Sequence, residues 1–166
     1  QLYTSAHTSA PVASINSTWI GGWSLTSNRF FNGSIDDLVL SDSALYTSNF
    51  TPPCSYLHPT SSTIGVWNFN NTTFPNIAVD SSINQNNGLI NGAIKSVEDI
   101  CRVTMISNCL EFDGVNDQVN LGSTVATGVR TIEMWFKPNF TIDNTLANFA
   151  PLIARENTVN SQADEF

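Results

Sequence analysis

The fold class of this chain is decided by the stretch Arg29-Phe-Phe-Asn-Gly-Ser-Ile-Asp-Asp-Leu-Val-Leu-Ser-Asp-Ser-Ala-Leu45. Apolar and small residues at positions 31, 33 and 35 alternate with those at 30, 32 and 34, and this period of two predicts a β-strand. No window of a dozen residues in the whole chain has a helical apolar period. The one candidate helical turn is Ser41–Leu45, with Ser41 as its cap.

Short runs of β-branched and aromatic residues recur along the chain, each bounded by Gly, Asn, Asp, Ser or Pro. The predicted strands are Gln1–Thr4, Thr18–Gly21, Phe30–Ile35, Asp37–Leu40, Gly65–Asn68, Gly88–Asn91, Cys109–Phe112, Gln118–Asn120, Thr131–Lys137 and Leu152–Arg155. Many short strands at fairly even spacing predict an all-β sandwich or barrel. The proline-containing run Thr51–Thr63 predicts an extended connector, because proline cannot donate to a central ladder. Asn70–Asn87 is expected to form a long ordered loop.

Composition narrows the classes of partner. Charged residues are 12% of the chain, roughly half the usual share, and the net charge is −8. The six basic residues are scattered singly, so there is no basic stripe to neutralise phosphates, and we expect no nucleic-acid partner. No apolar run reaches the roughly 18 residues that a membrane-spanning helix needs, so we expect no membrane insertion.

The polar, weakly charged composition and several glycosylation sequons favour an extracellular or surface-exposed location. The sequons begin at Asn16, Asn32, Asn49, Asn70, Asn71 and Asn139. Cys101 and Cys109 are eight residues apart, a span that a hairpin or loop could close with a disulfide. The alternative is that Cys54, Cys101 and Cys109 are three reduced thiols.

Five motifs resemble those of laminin G-like domains, which belong to the concanavalin A-like lectin/glucanase superfamily. They are Val66-Trp-Asn-Phe69, the loop from Asp80 to Gly88, Leu110-Glu-Phe-Asp-Gly-Val-Asn-Asp-Gln-Val119, the strand Thr131–Pro138 and the block Phe31–Leu45. The resemblance implies an antiparallel jelly-roll sandwich of concanavalin A-like type. It also implies that Trp67 and Trp135 lie in the core.

The order of these motifs departs from the family, because the closing block Phe31–Leu45 comes before the opening motifs. On this reading, residues 1–50 are the C-terminal half of a sandwich, 51–63 are a connector and 64–166 are the N-terminal half. The chain is then a piece of a tandem array, a permuted domain, or a subunit whose sandwich is completed head-to-tail by a neighbouring copy. The sandwich is therefore expected to be split or permuted.

The residues that could carry chemistry favour binding over catalysis. No Glu-x-Asp-x-x-Glu run and no Ser-His-Asp ordering occurs, so we expect no enzyme activity; an enzyme fragment with its acids elsewhere is the alternative. Asp113 lies in an Asp-Gly turn that could offer oxygen ligands to Ca²⁺. The family resemblance points to Asp80 and Asp36 as the better candidates for a structural calcium. The alternative is that all three are turn residues that cap their own backbone.

Trp19 and Trp23 flank Ile20-Gly-Gly22 and are the candidates for stacking on a glycan ring. Two functions are therefore predicted from the sequence. The first is a non-catalytic structural or adhesion module that assembles head-to-tail with copies of itself into a filament, fibre or tandem array. The alternative is a calcium-dependent carbohydrate-binding module.

Overall fold

The chain forms two antiparallel β-sheets, an arrangement consistent with a β-sandwich. The computed structural model describes residues 17–22, 29–51, 58–97, 108–125, 127–141, 150–155 and 164–165, the last pair by backbone only. No helix occurs in these ranges, so the all-β prediction is confirmed.

The described strands are β1 (Thr18–Ile20), β2 (Asn32–Ser41), β3 (Thr63–Trp67), β4 (Ile77–Ala78), β5 (Gly88–Asn91), β6 (Ile94–Val97), β7 (Asn108–Asp113), β8 (Gln118–Gly122), β9 (Thr131–Pro138), β10 (Ile153–Arg155) and β11 (Asp164–Glu165). The first sheet has six strands in the order β11-β10-β1-β8-β5-β4. The second has five strands, with β3, β2, β7 and β6 in order and β9 paired to β2.

Strand β2 is the centre of the second sheet. Its N-terminal half, Asn32–Ile35, pairs with β7, and its C-terminal half, Leu38–Ser41, pairs with β3. Strand β9 pairs with both halves, from Gly33 to Ser41. Because one backbone edge cannot serve two strands at the same residues, β3 and β7 share one edge of β2 and β9 takes the other.

A β-bulge in β2 sets which residues face the core. Asp36 is opposite Trp135 of β9, but Val39 is opposite Glu133, so β2 carries one extra residue between these pairs. Asp37 has a φ of 50°, and its amide donates to Asp36 Oδ1 at 2.8 Å. A regular strand would alternate 35, 37 and 39 on one face. The bulge shifts the phase, and Leu38 and Leu40 instead join Ile35 in the core.

The core lies between the two sheets. In the first sheet a row of opposing residues, Ile153, Ile20, Val119 and Ile90, faces inward and is at most 7% exposed. The second sheet contributes aromatic side chains, and Phe31 makes edge-to-face contacts with Phe112, Phe136 and Phe140 at centroid distances of 6.0–6.4 Å. Full burial of a side chain such as that of Phe31 or Phe112, each 2% exposed, contributes about 1.5–3 kcal/mol.

Most predicted strands are confirmed within a few residues, and the pair predicted at Phe30–Ile35 and Asp37–Leu40 is the single strand β2. The strand predicted at Gln1–Thr4 lies outside the described residues. The helical turn predicted at Ser41–Leu45 is wrong. Ser41 ends β2, its carbonyl accepts the amide of Arg130 at 2.8 Å, and the amide of Asp42 donates to Ser62 O at 2.9 Å. These backbone groups are used by neighbouring segments and not by a local turn.

Candidate functional site

The motif order divides the chain into a part before the connector and a part after it, and the contact between these two parts is the first candidate site. In the described part of residues 17–50, β1 pairs with β8 and β10, and β2 pairs with β3, β7 and β9. All of these partner strands begin at Thr63, the last residue of the predicted connector, or later. Within 17–50 itself the described ladder is limited to the bridge between Gly22 and Phe30. The first part of the chain is therefore built into both sheets by strands of the second part.

The segment after β2 also packs onto the second part of the chain. The amide of Leu45 donates to Thr131 Oγ1 at 3.2 Å, and that hydroxyl donates to Ser43 O at 2.6 Å. Tyr46 Oη donates to Glu133 Oε1. Burial raises the pKa of Tyr46 to about 12, with smaller contributions from the Glu133 hydrogen bond and the Glu133 charge. The ring of Tyr46 stacks on Phe50 with centroids 3.5 Å apart.

Asp80 organises the predicted loop that follows β4. Its Oδ1 accepts the amides of Val66 and Ser82, both at 2.8 Å, and its Oδ2 accepts Ser82 Oγ and the amide of Asn86, also at 2.8 Å. The side chain is 4% exposed. A carboxylate has about four lone-pair positions, so these donors occupy its acceptor capacity. Trp67 Nε1 donates to Asn86 O at 3.0 Å and fixes the same loop to the core.

The three carboxylates predicted as calcium ligands lie at different levels of β2. Asp113 is opposite Asn32 at its start, Asp36 is in its middle, and Val66, which donates to Asp80, is opposite Val39. Seven residues of strand separate Asn32 from Val39, or roughly 20 Å. Asp113 Oδ1 accepts the amide of Val115 at 2.8 Å.

These carboxylates accept hydrogen bonds that organise turns and the β2 bulge, and they do not converge on one point. In the described ranges no group of three or more His, Cys, Asp or Glu side chains is gathered around a common point that could hold a metal. Calcium stays a prediction, and binding at Asp80 would require that some of its four hydrogen bonds be given up.

Asp117, four residues after Asp113, is a further buried carboxylate. Its Oδ2 accepts the amide of Asp113 at 2.8 Å, and its side chain is 5% exposed. A Cβ on Gly92 would lie 2.0 Å from Asp117 Oδ1, so only glycine fits beside this carboxylate. Burial raises the pKa of Asp117.

Trp19 lies on the outer face of the six-stranded sheet, since its neighbour Ile20 points into the core. A row of directly opposed residues crosses this face: Ala154, Trp19, Asn120, Leu89 and Ile77. Leu89 is 54% exposed and Trp19 is half-buried. Trp19 Nε1 and Oε1 of the diagonal neighbour Gln118 are buried without a hydrogen-bond partner. Trp23, the other predicted stacking residue, lies outside the described residues.

The remaining predicted site residues fall on several elements. Asn16 and Cys101 lie outside the described residues, so the Cys101–Cys109 disulfide stays a prediction; Cys109 is buried in β7. Asn49 and Asn139 are exposed. Asn32 is half-buried in β2, and its Nδ2 donates to Asp113 O at 3.1 Å. Asn70 Oδ1 accepts the amide of Asn108, and Asn71 Oδ1 accepts the amide of Thr73.

Sequence reasoning missed Lys95, which ties the two sheets together at one edge of the molecule. Its Nζ donates to the carbonyls of Asn71, Phe74 and Ile77, the last two at 2.9 and 3.0 Å. Burial lowers the pKa of Lys95. Lys95 is in β6 of the second sheet and Ile77 is in β4 of the first. Its position in a short strand beside a polar loop gave no signal of this role.

Comparisons with protein-family models, with curated proteins and with solved structures found no match to this chain. Among the described residues, no helix has the length and apolar character needed to span a bilayer. Inferences about function therefore depend on the geometry of this chain alone.

Proposed function

We propose that the chain is a non-catalytic, extracellular structural or adhesion module whose copies assemble head-to-tail by exchanging the segment before the connector. The sandwich is proposed to be of the jelly-roll, concanavalin A-like type that the laminin G-like motifs imply. The observation that carries the proposal is that the described strands before Thr51 take all their strand partners from residues at or after Thr63.

The strand contacts would be the same whether the donor segment came from the same chain or from a neighbouring copy. The difference between the two states is whether Ser41 pairs with Thr63 of the same chain, as in the structure, or with Thr63 of a neighbouring copy. Pairing these two residues within one chain corresponds to an effective concentration in roughly the millimolar range. Exchange is therefore favoured where copies are crowded in a fibre or covalently joined in tandem.

The connector composition supports an extended path. Pro52, Pro53 and Pro59 lie between the two parts of the chain. Proline favours extended, semi-rigid conformations, and such a linker can hold a donor segment away from its own acceptor.

The experiment uses two full-length chains that each carry one defective part. Ile35→Asp disables the donor strand β2, and Leu110→Asp disables the acceptor strand β7; both side chains are fully buried. Each substitution buries an unpaired charge and is expected to cost more than about 4 kcal/mol, so neither chain folds alone. Mixed during refolding, they should form a dimer with one intact sandwich, detected by light scattering and circular dichroism.

Matched controls are Ile35→Val and Leu110→Val, which each keep an apolar side chain and should fold alone. If the mixture of the two defective chains stays unfolded while the controls fold, segment exchange between copies is refuted.

A second candidate function is carbohydrate binding on the outer face of the six-stranded sheet. The observation that favours it is the row in which half-buried Trp19 lies beside Asn120 and the exposed Leu89. An aromatic ring flanked by amide side chains offers stacking and hydrogen bonds to a sugar. Glycan-array binding that Trp19→Ala abolishes and Trp19→Phe retains would support it. A chelator tests whether calcium takes part.

A further inference from the structure

Asparagine followed by glycine occurs three times in the chain, at Asn32-Gly33, Asn87-Gly88 and Asn91-Gly92. In such a pair the backbone nitrogen of the glycine can attack the side-chain Cγ of the asparagine, because glycine has no Cβ to obstruct the approach. The reacting residues are the same in all three pairs. A difference in their reactivity in the folded protein therefore comes mainly from the fold.

Two of the three glycines are held inside strands. Gly33 is buried in β2, where it is opposite Phe112 of β7. Gly88 is buried in β5, where it is opposite Ala78 of β4. For either backbone nitrogen to turn toward the preceding side chain, the extended conformation has to be given up and the ladder has to open at that point.

The asparagine side chains of the same two pairs are also restrained. Asn32 Nδ2 donates to Asp113 O at 3.1 Å, and Asn87 Oδ1 accepts the amide of Asp80 at 2.9 Å. Each of these hydrogen bonds has to break before the side chain can swing toward the following amide. Both pairs are therefore protected at the nucleophile and at the carbon that it attacks.

The third pair lies at the surface. Asn91 is the last residue of β5, where it is opposite Gln118, and it is exposed. Gly92 is also exposed and lies outside the strands, in the two-residue connection between β5 and β6. Its amide is therefore accessible to base from the solvent, and the glycine does not have to leave a strand in order to turn.

The fold requires glycine at position 92. Gly92 has a φ of +82°, and a Cβ there would lie 2.0 Å from Asp117 Oδ1, which belongs to a buried carboxylate. A larger residue, which would slow the attack on Asn91, is therefore strained at this position and lacks space.

We propose that Asn91 is a spontaneous deamidation site, and that in the folded protein it reacts before the other two pairs. The Gly92 nitrogen loses its proton and forms a bond to Asn91 Cγ, the bond from Cγ to Nδ2 breaks, and ammonia leaves. Water then opens the resulting succinimide at either of its two carbonyls. One opening gives aspartate with a normal backbone, and the other gives isoaspartate, in which the main chain runs through the side-chain methylene.

The isoaspartate product lengthens the main chain at a tight corner. Strands β5 and β6 belong to different sheets and are joined only by Gly92 and Ala93. Ala93 is 8% exposed and packs in the core. An extra main-chain atom here displaces Ala93 or separates Asn91 from Gln118, so isoaspartate should lower the stability of the sandwich. The aspartate product adds a charge at an exposed position and leaves the backbone unchanged.

The test is peptide mapping by mass spectrometry of the full chain, aged in a mildly alkaline buffer in the folded state and, in parallel, in denaturant. Chymotryptic cleavage after Leu89 separates Asn87 from Asn91. In the folded chain Asn91 should deamidate at least about fivefold faster than Asn32 or Asn87, since each hydrogen bond that has to open first slows the reaction about 2- to 10-fold. In denaturant the three rates should converge.

Two variants separate the effects of the product. Asn91→Gln is the matched control that keeps an amide at this position, because its longer side chain would have to close a larger and less favourable ring. Asn91→Asp supplies the new charge without the longer backbone. Once the reaction at Asn91 is complete, the aged wild type should unfold at lower urea concentration than the aged Asn91→Gln chain and the fresh Asn91→Asp chain.

Two results would overturn the assignment of Asn91: a folded chain in which it reacts no faster than the other two asparagines, or a denatured chain that keeps the same ratio of rates. Aged wild type as stable as aged Asn91→Gln would overturn the predicted effect on the corner. The reaction takes place within one chain, so its outcome is independent of whether copies exchange segments.

Discussion

Replacing Lys95 by methionine should destabilise the edge of the sandwich formed by the end strands β4 and β6. The substitution keeps an apolar stem of similar length and removes the ammonium that donates to the carbonyls of Asn71, Phe74 and Ile77. These three carbonyls belong to the loop before β4 and to β4 itself, so the effect should begin at the edge of the first sheet.

The magnitude follows from the number of bonds and their exposure. A hydrogen bond from a charged donor contributes about 1.5–3 kcal/mol when its partner is left unsatisfied. Phe74 is 50% exposed, so water can replace part of the loss at this loop. We therefore expect a total loss of about 3 kcal/mol in the free energy of unfolding, and a melting temperature lower by about 6–12 °C.

Urea unfolding followed by circular dichroism gives the free energy, and amide hydrogen exchange gives its location. The amide of Ile77, which donates to Phe74 O at 3.2 Å, should exchange faster in the variant, while core amides of β8 change only with global stability. Arg130→Met is the matched control, because Arg130 is exposed and its loss should cost less than about 0.5 kcal/mol. A Lys95→Met variant no less stable than Arg130→Met would refute this account of the edge.

Three further outcomes are expected. Gly33→Ala should lower the free energy of unfolding in urea by more than about 3 kcal/mol, because Gly33 has a φ of +147° and a Cβ there would lie 2.3 Å from Lys137 O. A decrease below about 1 kcal/mol would contradict this backbone contact. Burial raises the pKa of Asp117 above its unfolded value of 3.8, so its contribution to stability is present below pH 3.8 and is lost as pH rises through the folded pKa. Asp117→Asn should remove that pH dependence from unfolding curves, and an unchanged pH profile would contradict it. The pKa of Tyr46 is raised to about 12, so the contribution of Tyr46 to stability is present below pH 10.0 and is lost as pH rises through 12. Tyr46→Phe should remove the last step of a tyrosinate absorbance titration. A wild-type titration without that step would count against the Glu133 contact.

The sequence alone predicted the all-β class of the fold and much of its core. Alternation and short runs of β-branched and aromatic residues predicted β2, β7, β8 and β9, and Trp67 is fully buried as expected. Alternation could not predict which residues in the second half of β2 face the core. In a regular strand the adjacent residues Asp36 and Asp37 would lie on opposite faces. Only the register with β9 reveals the extra residue that brings Leu38 and Leu40 into the core.

Short edge strands were also missed. Strand β4 has two residues and β6 has four, and their burial patterns show no clear alternation. These strands are stabilised by hydrogen bonds to strands that are distant in sequence, and a local sequence pattern contains no information about such partners. Trp135, expected in the core, is half-buried on the outer face of the second sheet opposite Asp36.

The candidate sites depend on geometry that motifs do not contain. The loop from Asp80 was recognised as an oxygen-rich turn, but its four hydrogen bonds come partly from Val66, fourteen residues earlier. Trp19 was recognised as an aromatic beside glycines, yet its neighbours Asn120 and Leu89 come from two distant strands. Sequence spacing could not place either set.

The central claim is that the segments on the two sides of the connector complete one sandwich. A protease site engineered between Phe50 and Thr60 tests it directly, with the folded protein cleaved and analysed by size-exclusion chromatography and circular dichroism. We predict that the nicked protein stays folded as one particle, that its fragments separated in denaturant do not fold alone, and that mixing restores the native spectrum. Fragments that separate without denaturant, or that each fold independently, would contradict the claim.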